Sequence, residues 1–316
     1  MESFIGASGI VAIGALMHLS SVTWSGTSVR VNGIDLHCTV EGEGFPCLVP
    51  RPAGTSIIER TFSARLREKL QLIIFDPRGC GRSGGSLADC DLDDLLADID
   101  GLRAALGHER IGFLGWSILS LVGMDFALAY PDSTSRLILI GALPNFGEWD
   151  DGYWDTVASP ERKAHLAENL ARLERSGVEP LPPGAHEPDQ LVRRRTQTLR
   201  YAAYGPRYWY DPTFDCAPLY ADDEWDMGQL DWLWAHLAPR HRDPAAIAGV
   251  KPPTFLAQGV WDFNVPPTRW AGVLPTFRDC TYRAFERSGH YPFYEEPDLF
   301  DATLLEWLAA PRPTEP

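Results

Sequence analysis

Three side chains far apart in the sequence are of the types that perform nucleophilic catalysis: Ser117, Asp262 and His290. A serine hydroxyl is a weak nucleophile at neutral pH, so it needs a base within hydrogen-bond reach and a third group to orient that base. In this assignment His290 takes the Ser117 proton, and Asp262 holds the imidazole in the required tautomer. The expected chemistry is attack on a carbonyl group, giving an acyl-enzyme that water then cleaves.

The sequence around Ser117 predicts a strand, a sharp turn and a helix. Residues 111–114 form an apolar run, and a helix-like apolar stretch covers residues 118–130. A serine at the tip of such a turn stands clear of the sheet, within reach of a base and a substrate. The structural alternative for Ser117 is a helix N-cap. Ser120 lies three residues into the helix and is expected to pack there.

The acid and the histidine also follow predicted strands. Strand 254–257 precedes Asp262, and strand 281–285 precedes His290. The carboxyl ends of parallel strands lie at one edge of a sheet, where α/β proteins bind ligands. The structural alternative is a turn cap for the aspartate and a packed side chain for the histidine. Asp150 and Asp151 are alternative acids, because some families take the acid from that region.

The elements around these residues alternate between strand and helix. Further strands are predicted at 28–31, 34–40, 45–49, 70–75 and 137–140, and helices at 57–70, 92–106 and 297–308. Asn32-Gly33 predicts a hairpin turn between the first two strands. The pattern predicts an α/β fold in which helices flank a mostly parallel central sheet.

The alternation stops between residues 145 and 250, where six of the eleven tryptophans lie. Helices are expected at 160–176 and 187–204, and the segment is interpreted as a helical lid (cap) over the site. Aromatic side chains near the site are candidates for the wall of an apolar substrate pocket, with core packing as the alternative. These candidates are Trp116, Trp261, Trp149, Trp154 and Tyr204.

The predicted organisation has three parts: an apolar N-terminal arm (1–22), a core (23–144 and 251–316) and the lid (145–250). The arm is too short and too glycine-rich for a bilayer span. We expect it to pack on the body or on a second subunit, which would make a homodimer. A removed leader is the alternative, although a basic start is missing.

Composition limits the partners. The formal net charge of −15 argues against nucleic acid and anionic membranes, which require basic patches. Six cysteines without a CxxC pair are expected to be free thiols in a reducing cytoplasm. No metal-ligand or dinucleotide-binding pattern is present, so no cofactor is expected, and the partner is a small-molecule substrate.

With these motifs the chain resembles the α/β-hydrolase superfamily, and within it the proline-iminopeptidase-like and related small-molecule hydrolases. Residues 76–83 (DPRGCGRS) resemble the family's DxRGxGxS loop, and residues 115–117 the first half of GxSxG. Residues 259–262 resemble the acid-bearing turn, and residues 288–290 the histidine turn. The resemblance implies the α/β-hydrolase fold, and a Ser117–His290–Asp262 triad.

Two positions depart from the family pattern. Leu119 replaces the second glycine of GxSxG, so either smaller neighbours accommodate it or the geometry of the turn is altered. Residues 49–54 (VPRPAG) replace the usual His-Gly loop after the third strand, and Pro50 and Pro52 have no N–H to donate. The oxyanion donors are therefore expected to be the backbone N–H groups of Ile118 and Ala53.

The sequence therefore predicts a serine hydrolase that cleaves an ester, lactone or amide bond of a small, fairly apolar molecule. An aminopeptidase of the proline-iminopeptidase type is one alternative, because in enzymes that the chain resembles acidic lid residues bind the substrate amine. The residues available for that role are Asp222, Asp223, Glu224 and Asp226, for which a solvated turn is the structural reading. A lyase, a C–C-cleaving or cyclising enzyme, or a binding protein on a retired hydrolase scaffold are the others.

Overall fold

The computed structural model describes residues 26–145, 152–180 and 190–311. Within these ranges eight strands form one sheet in the order β1-β2-β4-β3-β5-β6-β7-β8. The strands are β1 (Thr27–Val31), β2 (Ile34–Glu41), β3 (Phe45–Pro50), β4 (Leu70–Phe75), β5 (Ile111–Trp116), β6 (Thr134–Ile140), β7 (Thr254–Gly259) and β8 (Cys280–Phe285). The pairs β1–β2 and β2–β4 are antiparallel, and the other pairs are parallel. The predicted α/β fold with a mostly parallel sheet is confirmed.

Helices lie between the strands along the chain. Those that belong to the sheet layers are α1 (Ile57–Thr61), α2 (Ala64–Arg67), α3 (Leu92–Ala105), α4 (Leu119–Ala129), α10 (Pro292–Glu295) and α11 (Pro297–Ala309). Between β6 and β7 the chain forms α5 (Gly152–Val157), α6 (Pro160–Arg175), α7 (Gln190–Ala203), α8 (Gly205–Tyr208) and α9 (Met227–Arg240). We call the segment between β6 and β7 the insertion.

Apolar runs form the central strands because both faces of the sheet are covered. In β5, Phe113 packs into the cluster that contains α3 and α4, whereas Leu114 packs into the cluster that contains α11. In β6, Leu139 and Ile140 divide between the two faces in the same way. Successive side chains of a strand point to opposite faces, so a strand buried on both sides needs apolar residues throughout.

The Asn32-Gly33 turn adopts the backbone that a tight hairpin requires. Asn32 has φ 45° and Gly33 has φ 82°, and both belong to the left-handed region of a type I′ turn. The pairing Val31↔Ile34 closes the hairpin directly beside the turn. The predicted hairpin is confirmed.

The single helix predicted over 57–70 is wrong. Phe62 has φ −69° and ψ 134°, so α1 ends there and α2 starts after Ser63. Ser63 Oγ accepts the Leu66 N–H as an N-cap and donates to Asp301 of α11 at 2.5 Å. The Phe62 ring packs 5.2 Å from that of Phe293. These contacts to the far end of the chain favour the break over continued helix.

The exit of the insertion is tied to the core by a buried polar group. Asp125 of α4 is fully buried, and its carboxylate accepts from Arg240 Nε at 3.1 Å and pairs with His241 Nε2 at 2.9 Å. Trp232 of α9 also donates its indole N–H to the carbonyl of Cys90 at 3.2 Å. Helix α9 is therefore anchored on the sheet layers.

Several predictions fall on residues 1–25 and 146–151, which lie outside the described residues; these are the N-terminal arm, Trp149, Asp150 and Asp151. All six cysteines are described, and none forms a disulfide. Among the helices of the described ranges, none has the length and apolar character needed to cross a bilayer.

Candidate active site

Ser117 occupies a strained turn at the end of β5. Its φ of 56° is left-handed, a region that residues with a Cβ rarely adopt. The turn is held by hydrogen bonds from the Ser117 N–H to the Ile140 carbonyl (2.9 Å) and from the Ser120 N–H to the Ser117 carbonyl (3.0 Å). A Cβ at Gly115 would lie 2.6 Å from the Ser120 Cα, so glycine is required where the helix start crosses the strand. The sequence-predicted strand–turn–helix is present.

The other serine of the turn has a different environment. Ser120 is fully buried, and its hydroxyl donates to the Gly115 carbonyl at 2.9 Å. Ser117 is only partly buried. Leu119, which replaces the family glycine, is 3 % exposed and belongs to the apolar cluster that also contains Val122. The departure from GxSxG is thus absorbed by apolar neighbours under the turn.

Asp262 and His290 form a buried, oriented pair. The Asp262 Oδ2 lies 2.6 Å from His290 Nδ1, and the exposed fractions of the two residues are 0 % and 1 %. The Asp262 Oδ1 accepts the N–H groups of Asn264 (3.0 Å) and Val265 (2.8 Å), and Gln258 Nε2 approaches Oδ2 at 3.3 Å. These donors satisfy the oxygens of Asp262 and fix the orientation of its side chain. An ionised acceptor at Nδ1 fixes the proton there and leaves Nε2 as the basic nitrogen.

The nucleophile follows β5 and the base follows β8, at the same edge of the sheet, with β6 and β7 between the two strands. Ser117 N–H binds the carbonyl of Ile140, and a Cβ at the next residue, Gly141, would lie 2.9 Å from His290 Nδ1. The Trp116 indole N–H donates to the His290 carbonyl at 3.0 Å. Within the described residues no hydrogen bond joins Ser117 Oγ to His290. Catalytic hydrogen bonds are often long before substrate binds, so the arrangement still fits a nucleophile and its base.

The two predicted oxyanion donors differ in their surroundings. The Ile118 N–H follows the nucleophile and has no acceptor in the described part of the chain. The Ala53 N–H already donates to the side-chain oxygen of Gln229 on α9, and the Ala53 carbonyl accepts from the Asp226 N–H at 2.7 Å. The amide of Gln229 also donates to the Arg51 carbonyl at 3.2 Å. In this structure one of the two donors is therefore occupied by the insertion.

The predicted pocket aromatics divide into two groups. Trp116 lies in the core next to His290, with ring centroids 5.2 Å apart. Trp154, Trp261 and Tyr204 instead gather around Phe263, the residue after Asp262. The second group forms an aromatic cluster between the insertion and the acid loop.

Two of the acidic residues before α9, Asp223 and Asp226, have defined partners. Asp223 pairs with Arg60 at 3.0 Å and accepts the Ser56 N–H at 3.2 Å. Asp226 caps α9 by accepting the Gln229 N–H at 3.0 Å. A polar cavity of about 630 Å³ lies next to them. Its charged lining residues are Arg51, Asp76, Arg82, Glu224 and Asp226.

The DxRGxGxS-like loop is held by charged hydrogen bonds. Asp76 accepts from Arg51 Nε (2.7 Å) and from the Arg82 N–H (3.0 Å). Arg78 makes a bidentate pair with Asp98 of α3, with both distances 2.7 Å. Arg51 and Arg78 thus link this loop to other parts of the core.

Two site residues escaped the sequence analysis: Gln229, at the oxyanion loop, and Glu295, at the histidine loop. Nothing local distinguishes Gln229 from other polar residues of α9, because its partners lie 176 and 178 residues away. Glu295 follows the histidine motif closely in sequence, and that proximity is the signal that could have found it.

The geometry agrees with comparisons to known proteins. The family model for the alpha/beta hydrolase fold matches residues 53–297, so the chain belongs to that family. It is 29 % identical over 285 residues to the AB hydrolase superfamily protein YclE of Bacillus subtilis, covering 88 % of this chain and 96 % of that protein. It is 33 % identical over 254 residues to the putative carbamate hydrolase RutD of Escherichia coli, covering 78 % and 84 %.

A solved structure supports the fold. The alpha/beta fold family hydrolase from Bacillus anthracis superimposes with a TM-score of 0.67 at 16 % identity, over 90 % of this chain and 99 % of that one. The protein is therefore a hydrolase of the α/β-hydrolase family.

Proposed function

We propose that this hydrolase is a serine enzyme that cleaves an ester, lactone or amide bond of a small, fairly apolar molecule through an acyl-enzyme. The observation that carries the proposal is the buried Asp262–His290 pair at 2.6 Å, at the same edge of the sheet as Ser117, whose backbone is left-handed. This combination of an oriented base and a strained, partly exposed hydroxyl is what nucleophilic acyl transfer requires.

The proposed reaction has two halves, acylation and deacylation. His290 Nε2 accepts the Ser117 proton while Oγ attacks the substrate carbonyl, and the Ile118 N–H stabilises the resulting oxyanion. Collapse of the intermediate breaks the bond to the leaving group, which takes the proton from His290. Water then attacks the acyl-enzyme by the same route, and Ser117 is released. Asp262 stabilises the imidazolium during both halves.

The apolar substrate class rests on the aromatic cluster beside the acid. Trp154, Trp261 and Phe263 border the segment that carries Asp262, at the contact between core and insertion. In this proposal the insertion is the lid over the site. A similar protein is a putative carbamate hydrolase, so aryl carbamates belong in the substrate panel.

The test is labelling by a fluorophosphonate, together with hydrolysis of p-nitrophenyl esters, lactones and carbamates. We expect the wild-type chain to be labelled and Ser117→Ala to be unlabelled. Ser120→Ala is the matched control, because it removes a hydroxyl of the same turn and should retain labelling. A folded wild-type chain that neither labels nor hydrolyses any member of the panel would contradict the proposal. Faster cleavage of aminoacyl p-nitroanilides than of esters would instead favour the aminopeptidase.

A second candidate is favoured by one observation: the Ala53 N–H is occupied by Gln229. An oxyanion hole with one free donor suits a lyase, C–C-cleaving or cyclising reaction in which His290 acts as a base without an acyl-enzyme. For that function Ser117→Ala would keep turnover, whereas His290→Ala would lose it. Loss of turnover in both variants supports the serine hydrolase.

A further inference from the structure

The backbone next to His290 is held by one carboxylate. Glu295 of α10 accepts the Gly289 N–H through Oε2 at 2.7 Å. The Tyr291 N–H also faces this carboxylate and favours its charged form. The His290 N–H itself donates to the carbonyl of Tyr208 at 2.6 Å. The N–H groups of Gly289 and His290 are thus both hydrogen-bonded, at and just before the residue that carries the base.

The same carboxylate binds the insertion. Its Oε1 accepts the Tyr210 N–H at 2.6 Å, two residues beyond the carbonyl that holds His290. The two segments are in close contact, because a Cβ at Gly289 would lie 2.1 Å from the Tyr208 carbonyl oxygen. Glu295 therefore bridges the histidine loop and residues 208–210 at a point where they touch.

The neighbouring glutamate holds a different part of the loop. Glu296 Oε2 accepts from Ser288 Oγ at 2.6 Å and from the Arg287 N–H at 2.9 Å. Its bonds lie before Gly289 and do not reach the insertion. Of the two carboxylates, Glu295 is the one that contacts both segments.

We propose that Glu295 is a positioning residue for the base: by clamping the histidine loop to the insertion, it sets the position of His290 relative to Ser117. The inference rests on the proposed function. Orientation of the base provides much of the rate enhancement in such sites, and a misplacement of about 1 Å lowers the rate on the order of 100-fold. A glutamine cannot replace the carboxylate, because its amide nitrogen would face a backbone donor.

Opposing electrostatic effects act on the pKa of Glu295. Removal from water raises the pKa of Glu295 to about 8, and the negative charge of Asp262 adds to this, while the backbone donors oppose it. Arg162 of α6 and Tyr294 also interact with its charge. The clamp is therefore expected to strengthen as pH rises through about 8.

The experiment compares Glu295→Gln with Glu306→Gln, which makes the same change on the exposed face of α11. Amide hydrogen exchange of the full chain is followed for peptides that cover residues 208–211 and 286–291. The pH dependence of kcat/KM is measured for the best p-nitrophenyl ester. Thermal unfolding confirms that each variant is folded.

We expect faster exchange in both peptides of Glu295→Gln and a fall of about 10- to 100-fold in kcat/KM, mainly in kcat. The rise in wild-type kcat/KM near pH 8 should be missing in Glu295→Gln and present in Glu306→Gln. Unchanged exchange, or a rate within about twofold of the control, would overturn the proposal. Exchange is measured without substrate, so a wild-type chain with no esterase activity would sink the proposed function while leaving the clamp testable.

Discussion

Ser117 carries backbone strain that no neighbouring contact removes. Its φ of 56° costs a residue with a Cβ about 1–2 kcal/mol relative to the right-handed region. The turn persists because Gly115 allows the close crossing and the Ile140 carbonyl fixes the N–H. Such strain is concentrated at functional sites, and here it stands at the proposed nucleophile.

This strain predicts that Ser117→Gly is more stable than Ser117→Ala. Glycine removes the free-energy cost of the left-handed backbone. The larger conformational entropy of the unfolded glycine variant offsets only part of this stabilisation. We expect a difference of about 0.5–1 kcal/mol in the free energy of unfolding, measured by urea denaturation. Both variants lack the hydroxyl, so activity cannot explain the difference. An alanine variant more stable than the glycine variant would show that the turn is unstrained.

At the scale of elements, α9 and the oxyanion loop form one unit. Pro50 and Pro52 have no N–H, and both polar backbone groups of Ala53 are satisfied by residues at the start of α9. An N–H that is bonded to a neutral amide cannot stabilise an oxyanion at the same time. Completion of the oxyanion hole therefore requires Gln229 to leave.

Gln229→Ala and Gln229→Glu should shift the rate of acylation in opposite directions. Alanine frees the Ala53 N–H, whereas a carboxylate binds it more strongly through a charge-assisted hydrogen bond. One oxyanion donor is worth at most about 3–4 kcal/mol, which limits the gain in the alanine variant. Pre-steady-state acylation by a p-nitrophenyl ester measures the change. A fall in both variants would mean that Gln229 supports the loop instead of blocking it.

The elements that local chemistry determines could be predicted from the sequence. Asn32-Gly33 fixes a hairpin turn, and β5 and β6 are apolar throughout because both of their faces are covered. The predicted acid and base meet because β7 and β8 are neighbours with parallel ends. Their separation in sequence is irrelevant once the strand order is set.

What could not be predicted depends on partners distant in sequence. The break at Phe62 is caused by α11 and Phe293, whereas residues 57–70 alone have apolar residues at the spacing of one uninterrupted helix. The occupied Ala53 N–H depends on a side chain in the insertion, 176 residues away. Trp154 and Trp261 have a composition that suits a pocket wall or a core, and they pack with Phe263 beside Asp262. Composition cannot separate these roles.

At the scale of the whole molecule, excess negative charge opposes folding. The formal net charge is −15 and the isoelectric point about 4.9, so the compact chain repels itself at neutral pH. Raising NaCl from about 10 to about 200 mM shortens the Debye length and should raise Tm at pH 7. A gain of about 1 kcal/mol corresponds to about 2 °C for a chain of this size.

The control for this prediction is the same salt series at about pH 5, where the net charge is small and the shift in Tm should largely disappear. An equal rise at both values of pH would indicate salting-out of apolar surface. A fall in Tm at pH 7 would show that screened ion pairs, such as Arg60–Asp223, outweigh the general repulsion.

The anchoring of α9 bears on how the insertion could be exchanged between relatives. Gln229 joins one end of this helix to the oxyanion loop, and Asp125 holds Arg240 and His241 at the other. A chimaera in which the whole segment between β6 and β7 is replaced would lose α9, on which the core of this protein depends. A junction placed just before Asp226 would exchange the preceding helices of the insertion and keep α9 together with the core that it contacts.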